Sequence, residues 1–177
     1  LGELLAALWE RERWSEHTVL LMTADHGQAL LEHGHVAHGS SLYDEEPRVP
    51  LVLREPGMRG QERVDRLVTL EDVMPSLLAA AGVSLPITVS GSPLLGPNVL
   101  PVRSMDRWLV ARTGASEPAY AIRSSRWKAV FEPSGHGVLF DLVDDPGEEG
   151  DLSTREVGIF LGLADLTRLE VGADEDE

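Results

Sequence analysis

The chain has 177 residues, 42% of them hydrophobic, and a formal charge of -15 at pH 7. This length and hydrophobic content suit one ordinary domain with a real core. The acidic charge argues against a nucleic-acid partner or an anionic membrane surface. The absence of cysteine excludes disulfides, a thiolate nucleophile and a cysteine-based zinc site within these residues.

No apolar run approaches the roughly 20 residues needed to span a bilayer, and the chain shows no signal-peptide pattern. It opens on Leu1 rather than methionine, within a predicted helix. We therefore expect a fragment of a longer protein whose N-terminal half is missing, and the sequence leaves the cellular compartment undecided.

The first predicted elements are a helix and a strand. Leu1, Leu4, Leu5 and Leu8 repeat at helical spacing. Thr18–Met22 is a continuous apolar run, which favours a central parallel strand buried on both faces. Further along, Val49–Leu53 predicts a second strand, and Leu67–Thr69 is a candidate for a short third one.

Between the first two strands lies the most informative part of the chain. Residues 18–50 contain four of the six histidines and several carboxylates. Asp25, His26 and Gly27 directly follow the predicted strand, where ligands bind in open α/β sheets. An oxygen and an imidazole nitrogen from adjacent residues suggest a metal site, and the glycine lets the chain turn sharply.

The next elements are a helix and a β meander. Asp72 is a predicted helix cap, Leu77, Leu78 and Ala81 the core face, and Gly82 the left-handed stop. From Ser84 to Pro101 we expect an irregular connection. The short strands that follow are separated by turn residues and predict an antiparallel meander; they are Trp108–Thr113, Tyr120–Ser124, Arg126–Glu132 and Val138–Leu142.

A strong turn signal and a closing helix complete the chain. The turn is Asp144–Gly147 and the helix Val157–Leu169. We predict three regions with these bounds: an α/β part over residues 1–103, a meander subdomain with its closing helix over 104–172, and an acidic tail over 173–177.

Several segments, in this order and spacing, resemble the C-terminal half of the sulfatase family within the alkaline phosphatase superfamily. They are Asp25-His26-Gly27, Glu32-His33-Gly34, His38-Gly39, Leu42–Glu45, Arg48–Leu51, Asp72–Leu78 with Ala81–Val83, Ile122–Lys128, and Leu139–Leu142 through Asp145–Glu148. Together they cover roughly Thr18 to Leu152.

The resemblance implies specific roles. Asp25 and His26 match a pair of metal ligands for a divalent cation, usually calcium in sulfatases, with magnesium, manganese or zinc as other possibilities. His38 lies close to the family's lysine or histidine that contacts the sulfate or protonates the leaving oxygen. The resemblance also implies an upstream Asp-Asp pair and a formylglycine motif, Cys/Ser-x-Pro/Ala-x-Arg; this chain has no Asp-Asp at a strand end near its start and no such motif.

The remaining polar residues of the loop have plainer interpretations. We expect His33 and His35 to be loop residues that orient the site or face water, and Glu45 and Glu46 to be a solvated stretch. Arg48 is expected to pin the loop by hydrogen bonds. Tyr43, Val49 and Leu51 are predicted core residues, and Lys128 is predicted to cover core surface beside Trp127.

The fold class that follows is α/β: an alkaline-phosphatase-like mixed sheet with helices, present in part, followed by a small C-terminal antiparallel β subdomain. The resemblance implies that the parent protein hydrolyses sulfate esters of small molecules or glycans. One alternative is a phosphodiesterase or phosphonate monoester hydrolase of the same superfamily. The other is a non-catalytic module that binds metal or a partner chain.

Overall fold

The computed structural model describes residues 2–10, 17–58, 63–95 and 107–174. The chain divides into two compact units, each built from two separate stretches. The first unit is Leu1–Asp25 with Pro50–Ser104, and the second is His26–Val49 with Met105–Glu177. The histidine-rich stretch therefore belongs to the same unit as the C-terminal strands.

The first unit opens with helix α1, Gly2–Trp9, followed by strand β1, Leu20–Met22. These confirm the predicted helix and strand. β1 pairs antiparallel with β4, Val52–Arg54, with Leu21 opposite Leu53. The expectation of a parallel strand buried on both faces is wrong: all three β1 residues are half-buried, and among the described residues β4 is the only strand that pairs with it. A continuous apolar run does not by itself distinguish parallel from antiparallel pairing.

Helix α2, Val73–Ala80, follows a 3-10 turn over Leu70–Asp72. Gly82 lies just beyond its end, and the φ of +69° at this glycine confirms the predicted stop. Thr69 is extended and begins this turn, so the short strand predicted at Leu67–Thr69 is wrong. The Asp72 carboxylate accepts hydrogen bonds from the Thr69 amide at 3.0 Å and from the Ser92 amide at 2.7 Å. Asp72 thus directly precedes the helix as predicted, but its side chain makes no capping hydrogen bond to α2; it closes a capping box with Thr69 at the 3-10 turn and holds the later segment at Ser92.

The core face predicted for α2 is wrong. Leu77 is 42% exposed and Ala81 is exposed, whereas Pro75 and Ser76 are buried. The Ser76 hydroxyl donates to the Asp72 carbonyl and accepts from the Leu94 amide at 2.8 Å. A small polar side chain is buried because both of its hydrogen-bonding functions are satisfied there.

The second unit contains the predicted meander, which is confirmed. Its strands are β5 Leu109–Arg112, β6 Tyr120–Arg123, β7 Trp127–Phe131 and β8 Gly137–Asp141. They form one antiparallel sheet in chain order. The turn after β8 is confirmed as well.

One face of this sheet carries the main core. Ile122, Ala129 and Leu139 are fully buried and pack with Leu163 of helix α3, Val157–Asp174. The closing helix is confirmed and is longer than predicted, since it takes in the first two residues of the predicted acidic tail; residues 175–177 lie outside the described part. Within the described residues, no helix is long and apolar enough to cross a membrane.

The other face of the sheet receives the histidine-rich stretch. Ala121 and Val130 are opposite each other on β6 and β7, and Leu42 packs against both. Since side chains alternate along a strand, these residues face away from Ile122 and Ala129. The meander therefore supports the loop that holds the predicted site residues.

Candidate active-site loop

The loop His26–Val49 contains a short hairpin, β2 Ala29–Leu30 with β3 Val36–Ala37. It follows β1 directly, as predicted from the apolar run. Its two ends and its middle are held by hydrogen bonds rather than by a large core of their own. The position of each functional side chain therefore depends on those bonds.

The structure brings two of the three predicted site residues together. The imidazole rings of His26 and His38 are stacked, with centroids 3.9 Å apart and planes 23° from parallel. Asp25 immediately precedes His26 in the chain, and all three side chains are exposed. A predicted metal ligand and the predicted acid thus lie side by side.

Hydrogen bonds define the tautomers of both rings. His26 Nδ1 lies 2.8 Å from the carbonyl oxygen of Gly27, and His38 Nδ1 lies 3.2 Å from Oε1 of Gln28. A nitrogen that faces an oxygen acceptor carries the hydrogen, which leaves the lone pair on Nε2 in the neutral ring. In this arrangement Nε2 of His26 is suited to ligate a cation. Most metal-binding histidines are oriented in the same way, by a hydrogen bond from the ring nitrogen that does not bind the metal.

The donor set fits a divalent cation in kind but not in number. Asp25 and His26 supply two ligands, whereas calcium takes about 6 to 8 oxygens. In the part of the chain that the structure describes, no group of three or more histidine, aspartate or glutamate side chains is arranged to hold a metal ion. Any complete metal centre would therefore need further ligands in addition to these two residues.

Gly27 allows the loop to close on itself. Its amide donates to the Glu46 carbonyl at 2.6 Å, and the next amide, of Gln28, donates to the Glu45 carbonyl at 2.9 Å. A Cβ atom added at Gly27 would lie 2.1 Å from the Glu45 carbonyl oxygen. Only glycine fits, because this contact is with backbone rather than with a movable side chain.

We expect Gly27→Ala to displace the loop segment that carries His26. Relieving a 2.1 Å contact requires the two backbone segments to separate, and overpacking of this kind typically costs about 1–3 kcal/mol of unfolding free energy. Thermal unfolding of the full-length variant measures the loss. Gly114→Ala is the control, since its added Cβ would meet nothing within 4 Å; equal melting temperatures for both variants would contradict the steric argument.

Glu46 holds the loop from inside. Its side chain is buried and accepts hydrogen bonds from the Gly39 amide at 2.6 Å, the Ser41 amide at 3.2 Å and the Ser41 hydroxyl at 2.8 Å. The expectation that Glu45 and Glu46 form a solvated stretch is wrong, because Glu45 is half-buried as well. The carboxylate of Glu46 satisfies loop amides that directly follow His38.

His33 also has a structural role that the sequence did not reveal. Its Nδ1 lies 2.9 Å from the Glu45 carboxylate, and its Nε2 lies 3.1 Å and 3.2 Å from the carbonyl oxygens of Gly147 and Glu148. Its ring stacks on Tyr43 at 3.9 Å. Because both nitrogens face acceptors, only the imidazolium form donates to all of them. Burial lowers the pKa of His33, but the carboxylate and the carbonyls outweigh it and raise that pKa above its ordinary value.

We expect His33 to make stability pH-dependent. A group with a raised folded-state pKa contributes fully below its unfolded pKa of about 6.5 and loses that contribution as pH rises through the folded pKa. The melting temperature of wild type should therefore fall relative to His33→Gln as pH rises above neutrality. His136→Gln, at a more exposed histidine, is the control; a constant difference between wild type and His33→Gln across that range would contradict the assignment.

A buried ionic network joins the loop to the meander. Lys128 Nζ lies 2.8 Å from Oδ1 of Asp44 and 2.6 Å from Oε1 of Glu148. Asp44 also pairs with Arg123, and at 3.7 Å with the exposed Arg48. Burial raises the pKa of the Asp44 carboxyl, but Lys128 and Arg123 outweigh that effect and hold the pKa below its ordinary value.

This network was not predicted from the sequence. Lys128 is 1% exposed and fully engaged with carboxylates, so its predicted role as a lysine covering core surface beside Trp127 is wrong. The available signal was composition: Lys128 is the only lysine in a chain with 30 acidic residues. Tyr43, Val49 and Leu51, predicted as core, are half-buried.

Comparison with known proteins agrees with the resemblance found in the sequence. The Sulfatase family model matches residues 1–83. Arylsulfatase K of Rattus norvegicus is 30% identical over 177 aligned residues, which cover 92% of this chain and 31% of that protein. The chain thus spans about a third of the length of this curated relative.

Solved structures show the same fold. A 2-O GAG sulfatase matches with a TM-score of 0.80 and 24% identity over 99% of this chain and 41% of its own. A phosphonate monoester hydrolase from Silicibacter pomeroyi matches with a TM-score of 0.77 and 22% identity over 99% of this chain and 38% of its own. These likenesses confirm the α/β, alkaline-phosphatase-like fold class. In sequence the chain is similar to the sulfatase family over residues 1–83 and to arylsulfatase K over 92% of its length.

Proposed function

We propose that the full-length protein is a metal-dependent hydrolase of sulfate esters, and that this chain supplies part of its active site. The observation that carries the proposal is the stack of His26 on His38 at the end of β1. It puts an imidazole suited to metal ligation beside one suited to proton transfer, in a chain similar to arylsulfatase K over 92% of its length.

In this proposal Asp25 and His26 hold one side of a divalent cation, most simply calcium, with magnesium, manganese or zinc as other candidates. When bound, the cation supplies a positive charge that polarises the ester and stabilises negative charge on the sulfuryl oxygens. The further ligands and the nucleophile come from parts of the protein beyond this chain, which has no cysteine and no formylglycine motif.

His38 acts on the leaving oxygen. With Nδ1 engaged by Gln28 at 3.2 Å, its Nε2 is the atom that moves a proton. In the imidazolium form Nε2–H donates to the departing alcohol oxygen, which is general acid catalysis. The substrate is a sulfate ester of a small molecule or a glycan.

The second candidate is hydrolysis of phosphonate or phosphate esters. The match to a phosphonate monoester hydrolase over 99% of this chain favours it, and the geometry of His26 and His38 serves either ester. The third candidate, a non-catalytic module that binds metal or a partner chain, is favoured by the small number of metal ligands among the described residues.

One experiment separates these candidates. The specificity constant kcat/KM of the metal-loaded full-length protein is measured for an aryl sulfate and for an aryl phosphonate monoester. The proposal predicts a higher kcat/KM for the sulfate. A preference for the phosphonate supports the second candidate, and no hydrolysis of either ester by the metal-loaded protein supports the third.

A further inference from the structure

We propose that Lys128 and Glu148 are positioning residues for the active-site loop, so that the C-terminal meander sets the geometry of His26 and His38. The effect on catalysis rests on the function proposed above, whereas the effect on the loop does not. Four groups of contacts, all within the second unit, hold the loop.

The first contact is at the sheet. Lys128 is on β7, an inner strand of the meander, and its side chain is 2% exposed. A buried ammonium is costly unless it is paired. Its two carboxylate partners are Asp44 from the loop and Glu148 from the turn after β8. Asp44 pairs with Arg123 as well, and with the exposed Arg48 at 3.7 Å, so both carboxylates of the network are compensated by positive charges.

The second contact fixes the backbone of the loop. The amide of Asp44 donates to Oε2 of Glu148 at 2.6 Å. Asp44 is therefore held by its side chain and by its main chain at once. Glu148 itself has a φ of +57°, an uncommon conformation for a residue other than glycine. Such a conformation persists where surrounding contacts hold it in place.

The third contact leads from Asp44 to the site. The next two residues, Glu45 and Glu46, present the carbonyl oxygens that accept from the amides of Gln28 and Gly27. Gly27 in turn presents the carbonyl that orients the His26 ring, and Gln28 presents the side chain that orients the His38 ring. Lys128 is thus connected to the two imidazoles through Asp44 by hydrogen bonds of 2.6 to 3.2 Å and by one or two peptide units.

A second connection runs in parallel. His33, in the hairpin loop, has one ring nitrogen facing Glu45 and the other facing the carbonyls of Gly147 and Glu148. The turn after β8 therefore contacts the loop at two places, Asp44 and His33. Because buried ion pairs add little net stability compared with apolar residues of the same size, we assign the network to positioning rather than to stability.

The test uses the full-length protein and a pair of matched double variants. Lys128→Met/Glu148→Gln removes one positive and one negative charge, so Asp44 keeps Arg123 as its partner and the glutamine oxygen still accepts from the Asp44 amide. Arg126→Met/Asp141→Asn removes a comparable pair from the same meander, in which Arg126 and Asp141 are 2.8 Å apart. Within the described part of the chain, neither of these control side chains hydrogen-bonds to the loop.

Two measurements are made on each variant. Hydrogen exchange of the Gly27 and Gln28 amides reports the loop directly, without any substrate. We expect exchange at least about 10-fold faster in Lys128→Met/Glu148→Gln and unchanged in the control. For sulfate ester hydrolysis we expect kcat to fall by about 10²-fold in the first variant, with KM within about twofold, because small misplacement of catalytic groups costs rate more than binding.

The outcomes separate the two proposals. Faster exchange without any sulfatase activity in wild type would overturn the proposed function and leave the positioning role intact. Unchanged exchange in Lys128→Met/Glu148→Gln, or an equal change in the control, would overturn the positioning role. Should that variant fail to fold, Asp44→Asn provides the same test: it weakens the link while preserving the shape of the side chain, and unchanged exchange at both amides would again overturn the proposal.

Discussion

Replacing Asp25 with alanine in the full-length protein should lower turnover of an aryl sulfate by about 10³-fold or more, because loss of a metal ligand forfeits several kcal/mol of transition-state stabilisation. Asp25 is the third residue after the end of β1, and it precedes His26, the other proposed ligand. The variant should also lose bound metal. Elemental analysis of the purified protein and steady-state kinetics measure the two effects.

The matched control for that variant is Asp65→Ala. Asp65 is an exposed aspartate of the same unit, paired with Arg63 at 2.8 Å. This variant should retain both metal and turnover. Near-normal turnover and metal content in Asp25→Ala would show that the metal assignment is wrong.

Replacing His38 with alanine should slow esters with poor leaving groups by about 10²-fold or more and leave activated aryl esters much less affected. Only a poor leaving group needs a proton as it departs, and in the proposed function Nε2 of His38 supplies that proton while Nδ1 is engaged by Gln28. The effect is measured on a series of esters as the slope of the logarithm of the rate against the pKa of the leaving alcohol.

The control is His136→Ala, which removes an exposed histidine from the second unit, outside the loop. Its slope should equal that of wild type. A uniform loss across the series in His38→Ala would indicate anion binding or a structural role, and unchanged rates on all esters would make His38 an ordinary loop residue.

The sequence predicted the elements whose patterns are local. The meander was predictable because Tyr120–Arg123 and Trp127–Phe131 are short, rich in β-formers and bounded by turn residues. The closing helix was predictable although Gly158 and Gly162 weaken it. The pairing of His26 with His38 was not predictable from spacing, because it depends on the Gly27 and Gln28 amides meeting the carbonyls of residues 45 and 46.

The failures at buried polar residues share one cause, which is hydrogen bonding to partners that the local sequence pattern does not reveal. Ser76 is buried because Leu94 donates to it from 18 residues away, and Glu148 holds Asp44 across 104 residues. A carboxylate such as Glu46 is predicted to be solvated because the sequence does not show which backbone amides donate hydrogen bonds to it. Patterns of polarity describe where a side chain is expected, but partners distant in sequence decide which polar groups can be buried.

The central claim, that the loop after β1 is the metal-dependent part of a sulfatase site, is tested most directly by removing and restoring the cation. The rate of aryl sulfate hydrolysis by the full-length protein is measured before chelation, after chelation, and after calcium or another divalent cation is returned. We predict loss of the rate on chelation and its recovery with the cation in wild type, and no recovery in Asp25→Ala. An undiminished rate in the chelated, metal-free wild-type protein would contradict the account.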